Sequence, residues 1–197
     1  TQNKDIINNF DNYIKIDQNK FFENPDYIFN IYTSEEELNI IKNIDNLNYP
    51  ALKNYVDISR GIEFGYDSKY VENNKKNDDY KPLIAGRCIN RYFLNFENKY
   101  IKFIENDSSN FKTKKIYENK KIFIRRIGTY IIATYDEDNY YNVCDVYNLL
   151  LKNNSNYDLK FILSIINSKI MKFYYIIKFK NAKQLFPKIP IKNIYQL

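Results

Sequence analysis

Two short triplets carry the side chains that a metal-dependent hydrolase uses. They are Glu97-Asn98-Lys99 and Glu118-Asn119-Lys120. In such a pattern the carboxylate would hold Mg²⁺ and the lysine would support the attacking water. No Pro-Asp pair on a strand precedes them, since Pro25-Asp26 lies in a polar connector, and a chain rich in Glu, Asn and Lys produces such triplets by chance. A metal-dependent nuclease therefore stays an alternative hypothesis, and we predict no catalytic and no metal-binding residues.

Other familiar catalytic arrangements are absent from the sequence. There is no histidine, no P-loop and no Gly-x-Ser-x-Gly motif, so a general base near neutral pH would have to be a carboxylate. Cys88 and Cys144 lack Cys-x-x-Cys spacing, which predicts two buried thiols in a reducing compartment and no zinc site. Asn24-Pro25-Asp26-Tyr27 resembles the Asn-Pro-Pro-Tyr signature of amino-methyltransferases. Too few residues precede it for a βαβ cofactor unit of roughly 30 residues, so we interpret it as a turn.

The basic residues form the most informative pattern. Arginine is the less frequent cation, and it occurs beside glycines or at a strand end, where its planar fork suits guanine or phosphate. The predicted DNA-binding residues are Arg60, Gly61, Lys69, Lys75, Lys76, Arg87, Arg91, Arg125 and Arg126. The alternative for any one cation is a salt bridge to nearby Glu63, Asp67 or Glu72. For the group, we favour a surface that binds a polyanion.

Composition sets the class of protein. With 197 residues, 44% of them hydrophobic, the chain can form one large domain or a domain with a helical arm. The 30 Lys and Arg against 24 Asp and Glu give a net charge of +6, a moderate preference for polyanions. The longest apolar stretch, 161–177, contains Asn167, Lys169 and Lys172, so we predict a soluble protein of the cytoplasm without a membrane span. The chain begins with Thr1, from which we expect a piece of a longer polypeptide.

The N-terminal part is expected to be a connector followed by one helix. Residues 1–30 are polar and mixed. Ser34 and Glu37 have the spacing of a capping box, and Pro50 is expected to end the helix that follows. Apolar residues at helical spacing predict its buried side, namely Leu38, Ile41, Ile44 and Leu47.

From Tyr55 onwards the sequence contains short segments rich in Ile, Tyr, Phe and Val. These segments predict strands at 55–59, 100–104, 121–125 and 129–135. Ile127-Gly128-Thr129 is expected to form a hairpin or a bulge. Gly61, Gly65 and Gly86 are expected to need a positive φ or a close approach. These features predict an α/β fold of the mixed α+β kind. Its sheet of short strands should be mostly antiparallel or mixed, with an N-terminal helix and a C-terminal helical pair.

Asp158 begins that second helical region. Its predicted core face is Leu159, Ile162, Leu163, Ile166, Ile170, Phe173 and Ile177, with a kink or break at Asn167-Ser168-Lys169. The Pro-punctuated tail, 186–191, is expected to be extended.

Five segments, taken in order, carry a family resemblance. They are ISRGIEFG at 58–65, KPLIAGRCINRY at 81–92, KIFIRR at 121–126, LKFILSIINSK at 159–169 and KIPI at 188–191. Their order and spacing resemble the TaqI-like C-terminal specificity domain of type IIG restriction-modification enzymes, with similarity from about Asp17 to the end. Arg60, Gly61, Arg87 and Arg91 match the loop pattern of this family, while direct base contact by them is our inference.

The resemblance implies a recognition domain at 51–197, preceded by a connector and helical segment at 1–50. It implies that a bacterial parent protein carries an adenine-N6 methyltransferase domain and a nuclease domain, and that this chain selects the DNA sequence to be methylated and cut. Double-stranded DNA and those two domains are then the partners, with no membrane. S-adenosylmethionine and Mg²⁺ are implied for the parent, with no cofactor and no catalysis here. A non-catalytic protein-interaction domain, packing through the helix at 161–177, stays the main alternative.

Overall fold

The computed structural model describes residues 17–23, 27, 33–105, 107–153, 155–179 and 187–197. Most of the predicted connector, Asn24 to Asp26 of the turn, and Phe186 of the tail lie outside the described residues. Within 1–30 the structure describes Asp17, a 3-10 helix at Gln18–Glu23, and the single residue Tyr27.

The described chain combines helices and strands, which confirms the predicted mixed α+β class. The helices are α1 (Glu35–Asp45), α2 (Lys114–Tyr117), α3 (Leu159–Ile166), α4 (Lys169–Phe179) and α5 (Ile191–Ile194). The strands are β1 (Val56–Arg60), β2 (Val71–Glu72), β3 (Tyr80–Ile84), β4 (Lys99–Lys102), β5 (Lys121–Arg125), β6 (Ala133–Asp136), β7 (Tyr141–Asn142) and β8 (Val146–Leu151). Short 3-10 helices lie at Leu52–Asn54 and Gly86–Cys88.

The described strands form two sheets of four. The first has the order β1-β8-β5-β6, and each neighbouring pair is antiparallel. The second has the order β2-β4-β3-β7, in which β3 and β7 pair in parallel and the other neighbours are antiparallel. The predicted mostly antiparallel or mixed arrangement is therefore confirmed.

The middle strands of the first sheet, β8 and β5, are buried on both faces. On one face, Leu149 and Ile122 belong to a core with α3 and α5. On the other face, Phe123 and Val146 share a core with Leu83 of the second sheet. Because the middle strands β8 and β5 are covered on both sides, their sequences do not alternate between exposed polar and buried apolar residues.

The N-terminal helix packs on the C-terminal pair. Its capping box is confirmed, with Ser34 Oγ accepting from the Glu37 amide at 3.2 Å. Ile41 packs against Tyr174, whose hydroxyl lies 2.5 Å from the Asp45 carboxylate. The helix ends at Asp45 rather than near Pro50. Leu47 is consequently 61% exposed, so its predicted burial is wrong.

The predicted break in the C-terminal helical region is confirmed at Asn167 and Ser168. Asn167 is buried, and its side chain bonds both the amide and the carbonyl of Ala133, at 3.1 and 2.8 Å. It thereby covers the open edge of β6, where a strand leaves its backbone groups unpaired. After the break, α4 begins at Lys169. Ile170, predicted to be core, is 59% exposed.

Several predicted boundaries need correction. The strand predicted at 129–135 begins at Ala133, so the connection between β5 and β6 is longer than a tight hairpin. The tail is extended from Pro187 to Pro190, but Ile191 begins a helix.

Cys88 is buried as predicted, whereas Cys144 is partly exposed, and both thiols are free. No helix of the described chain has the length and apolar character needed to cross a bilayer.

Candidate nucleic-acid interface

Strand pairing brings separate arginines to one end of the first sheet. Arg60 ends β1 and lies opposite Tyr147, while Arg125 ends β5 and lies opposite Val146. Both arginines therefore flank the start of β8, and Arg126 follows directly. We call this end of the sheet, with Arg60, Arg125 and Arg126, the arginine edge.

On one face of the arginine edge, the guanidinium groups of Arg60 and Arg126 affect the pKa of Tyr147. Burial raises the pKa of Tyr147, and the charges of Arg126 and Arg60 oppose that effect. The Tyr147 hydroxyl donates to the Ile189 carbonyl at 2.8 Å, and Arg126 Nη1 donates to the Cys144 carbonyl at 3.3 Å. The Nε groups of Arg60 and Arg126 are buried and have no acceptor among the described residues. Each is a strong donor placed just inside the surface.

On the other face, the loop after β3 meets the turn before β8. The Gly86 amide donates to both carboxylate oxygens of Asp145, at 3.0 Å each. Burial raises the pKa of Asp145, against the hydrogen bond from Gly86 and the charges of Arg125 and Arg87. Arg87 and Arg125 thus both lie close enough to Asp145 for their charges to affect its pKa.

Arg87 is held in a fixed orientation. Its Nε lies 3.2 and 3.0 Å from the two carboxylate oxygens of Glu97, and its Nη2 lies 3.0 Å from one of them. The guanidinium carbon also lies 4.8 Å from the centre of the Tyr66 ring. The Arg87 side chain nevertheless remains 55% exposed. The guanidinium group of Arg87 is thus held in one orientation and still faces solvent.

Arg91 is exposed in the turn after the 3-10 helix Gly86–Cys88. The neighbouring amide of Tyr92 donates to the Ala133 carbonyl at 3.1 Å. Ala133 begins β6 and pairs with Ile124, which precedes Arg125. The turn that carries Arg91 is therefore attached to the arginine edge.

Strand pairing does not place the three predicted lysines at the arginine edge. Lys75 pairs with Asp78 at 2.7 Å and Lys76 with Glu72 at 2.5 Å, in the loop before β3. Gly86 follows the opposite end of that strand, about 13 Å away at the usual rise per residue. Lys69 lies in the turn before β2, 5.2 Å from the Tyr70 ring centre. DNA contact by these three residues stays a prediction.

Salt bridging, the alternative for single cations, occurs for some of them. Arg60 lies 2.9 Å from Glu63, in addition to the pairs of Arg87, Lys75 and Lys76 given above. No carboxylate within the described part of the chain forms an ion pair with Arg91, Arg125 or Arg126. No ion pair in that part of the chain therefore neutralises their charges.

Two lysines at the arginine edge were missed by the sequence analysis as candidates. Lys172 lies 3.8 Å from the ring centre of Tyr130, in the connection that follows Arg126. Lys188 forms an isolated antiparallel bridge with Ile127 in the same connection. In the sequence, Lys172 appears only as an interruption of an apolar stretch and Lys188 as part of the tail, so no local signal linked them to Arg126.

Gly61 is required by close packing. A Cβ at this position would lie 2.2 Å from the Asn142 carbonyl oxygen and 2.7 Å from that of Val143. The glycine is buried, so the predicted close approach is confirmed, while its predicted DNA contact is untested. The described glycines have no positive φ, and a Cβ at Gly65 would meet nothing within 4 Å. The expectation for Gly65 is therefore wrong.

Gly61→Ala is expected to lower the free energy of unfolding by about 3 kcal/mol, because backbone atoms of β7 must move to admit the methyl group. Urea denaturation followed by circular dichroism measures the change. Gly65→Ala is the matched control, and we expect it to be neutral or stabilising by less than about 1 kcal/mol. Equal effects of the two substitutions would contradict the packing role of Gly61.

The two Glu-x-Lys triplets form no assembled metal site among the described residues. Glu97 is paired with Arg87, and Glu118 accepts from the Tyr141 hydroxyl at 2.8 Å. Lys99 and Lys120 pair with other carboxylates, at 3.4 and 3.5 Å. Within the described ranges no cluster of three or more His, Cys, Asp or Glu side chains is arranged to hold a metal ion.

Comparison with known proteins identifies the family. The family model described as the TaqI-like C-terminal specificity domain matches residues 81–197. This range includes Arg87, Arg91, Arg125 and Arg126, whereas Arg60 lies before it. No curated protein sequence gave a significant match. Since the match covers more than half of the chain, the chain belongs to the family of TaqI-like C-terminal specificity domains.

Proposed function

We propose that this chain recognises a specific sequence in duplex DNA as the specificity domain of a type IIG restriction-modification enzyme. Membership of the family points to DNA target recognition in a restriction-modification enzyme, and a specificity domain is in general not catalytic. The observation that carries the proposal is the arginine edge, where Arg60, Arg125 and Arg126 meet at one end of a buried sheet.

Two kinds of contact are expected from these arginines. Arg60 and Arg87 are each oriented by a carboxylate, Glu63 and Glu97 respectively, and a fixed guanidinium is suited to bidentate contact with a guanine edge. Arg125 and Arg126 lack such a partner among the described residues and would neutralise phosphates, as would Lys188. Phosphate contacts fix the register of the protein on the duplex, and base contacts specify the sequence.

The chemistry belongs, in this proposal, to other domains of the parent protein. An adenine-N6 methyltransferase domain would use S-adenosylmethionine, and a nuclease domain would use Mg²⁺. The present chain would need no cofactor of its own and would act in the bacterial cytoplasm, where its DNA target is found. Its task is to set which sequence those domains modify and cut.

A titration with a randomised duplex pool tests the proposal. The fragment is titrated by fluorescence anisotropy at low and moderate salt, and the bound fraction is sequenced. We expect binding that weakens with salt by a slope of about −0.9 per neutralised phosphate, together with an enriched motif. No binding at low salt would contradict the proposal. Binding without enrichment would show that specificity needs the parent's other domains.

A second candidate function, a protein-interaction domain, is favoured by one observation. An apolar groove of about 440 Å³ runs beside α3, and its lining includes Tyr49, Pro50, Phe161, Ile165, Met171 and Leu197. Contiguous exposed apolar surface of this kind is typical of interaction sites. Self-association in light scattering, without DNA binding in the titration, would favour this candidate.

A further inference from the structure

A four-residue turn at 90–93 carries two exposed aromatic rings on a tightly held backbone. Its base is the antiparallel bridge between Ile89 and Leu94, and the Asn90 amide donates to the Phe93 carbonyl at 2.9 Å. Ile89 is fully buried and Leu94 packs against the same core. We call residues 90–93 the aromatic turn.

The backbone of Tyr92 is in an unfavourable conformation. Its φ of 72° lies in the left-handed region, which a large side chain rarely adopts. The amide hydrogen bond from Tyr92 to Ala133, at 3.1 Å, holds it there. Such strain persists only when the surroundings fix it, and it is concentrated at functional positions.

The rings at the tip of the turn are placed for an external partner. Tyr92 is 50% and Phe93 61% exposed. The guanidinium carbon of Arg91 lies 5.1 Å from the Tyr92 ring centre, so a positive charge accompanies the apolar tip. Because the base of the turn is buried and its backbone is hydrogen-bonded, the exposed rings are held in place where they project from the surface.

The location of the turn identifies the partner. Through Ala133 the aromatic turn is attached to the start of β6, beside Arg125 at the arginine edge. A partner that covers the arginine edge and extends to the start of β6 would also reach the rings. Rings beside cations suit a polyanion that also presents flat apolar surfaces, which describes the bases and phosphates of DNA.

We infer that the aromatic turn is a wedge that enters the bound duplex and stacks on bases at an opened or kinked step. This inference rests on the proposed function and adds a contact that depends on base unstacking rather than on charge. Apolar side chains inserted between base steps unstack them and bend the duplex. The preset backbone of Tyr92 keeps the rings in place before binding, so little flexibility is lost on insertion.

The test uses two variants that spare the fold. Phe93→Ala removes an exposed ring, and Tyr92→Gly removes a ring while glycine readily adopts the left-handed φ. Tyr49→Ala is the control, because Tyr49 is an exposed aromatic residue in the apolar groove beside α3. The probe is the randomised duplex pool or its enriched sequence, and a series of these duplexes carries 2-aminopurine at successive positions, since its fluorescence rises on unstacking.

Each wedge variant is expected to bind about tenfold more weakly with an unchanged salt slope, and to lose a fluorescence increase that the unmodified chain produces. Tyr49→Ala should retain both signals. If the unmodified chain binds DNA but produces no such increase, or if the wedge variants behave like it, the inference is wrong and the proposed function stands. A lower salt slope in the variants would mean phosphate contact and would also overturn it. Absence of DNA binding by the unmodified chain would instead overturn the proposed function, and the inference with it.

Discussion

Asp136→Ala is expected to lower the free energy of unfolding by about 3–5 kcal/mol, the cost of leaving one buried charge without its partner. Lys121 and Asp136 form an ion pair with side chains that are 0% and 2% exposed. Lys121 also donates to the carbonyls of Tyr117 and Asn119. Burial lowers the pKa of Lys121 and raises that of Asp136, so each charge depends on the other for compensation.

The expected loss is measured by denaturant unfolding at neutral pH, with Glu137→Ala as the control. Glu137 is the next residue and pairs with Lys120 on the surface, so its removal should cost less than about 1 kcal/mol. The double variant Lys121→Met, Asp136→Leu should recover most of the stability, since apolar residues of similar size can replace a buried pair. A cost for Asp136→Ala no greater than that for Glu137→Ala would contradict the buried-pair interpretation.

This ion pair also matters for the candidate interface. Lys121 and Asp136 are direct partners in the β5–β6 register, at the opposite end of β5 from Arg125. A pair of charges buried at one register position disfavours a shift of one strand against the other. The position of Arg125, beside Ala133 and the aromatic turn, therefore depends on a contact at the far end of the same strands.

The sequence signals that succeeded are local ones. The Ser34–Glu37 capping box and the break at Asn167 act within a few residues, so the structure confirms both. The predictions for Leu47 and Ile170 were wrong because a helical face was extended past the end of α1 and past the break after α3. Local spacing cannot show where neighbouring elements stop covering a face.

The strand that was missed explains why the candidate site was only partly predictable. β8 is buried on both faces, and its sequence, Val-Tyr-Asn-Leu-Leu-Leu, lacks the alternation that marks a half-buried strand. It is the strand that joins β1 to β5 and so places Arg60 and Arg125 on either side of it. The sequence identified these arginines as candidates, but without β8 it could not show that they share an edge. The short strands β2, β3 and β7 were missed as well, so the second sheet was not expected.

Replacing Arg125 and Arg126 together with glutamine is expected to weaken duplex binding about 50-fold at about 0.1 M salt, if each neutralises one phosphate. The salt slope should fall by about 2 for the same reason. Neither arginine has an ion-pair partner among the described residues, so no salt bridge there is broken; the interactions lost are the hydrogen bond from Arg126 to the Cys144 carbonyl and the charge of Arg125 near Asp145. Fluorescence anisotropy over a salt series measures both quantities, and circular dichroism checks that the hydrogen bond from Arg126 to Cys144 is not essential for folding.

The matched control is Lys115→Gln with Lys120→Gln, which removes the same number of charges. Both lysines are exposed; Lys115 lies in α2 and Lys120 directly precedes β5. The length of β5 separates Lys120 from Arg125 by about 16 Å. If binding depended only on net charge, the two pairs of substitutions would weaken it equally. A large loss for the arginine pair and a small one for the lysine pair would instead place the DNA at the arginine edge. Because phosphate contacts carry little sequence information, the enriched motif should be the same for the arginine variant as for the unmodified chain, whereas Arg87→Ala should relax it.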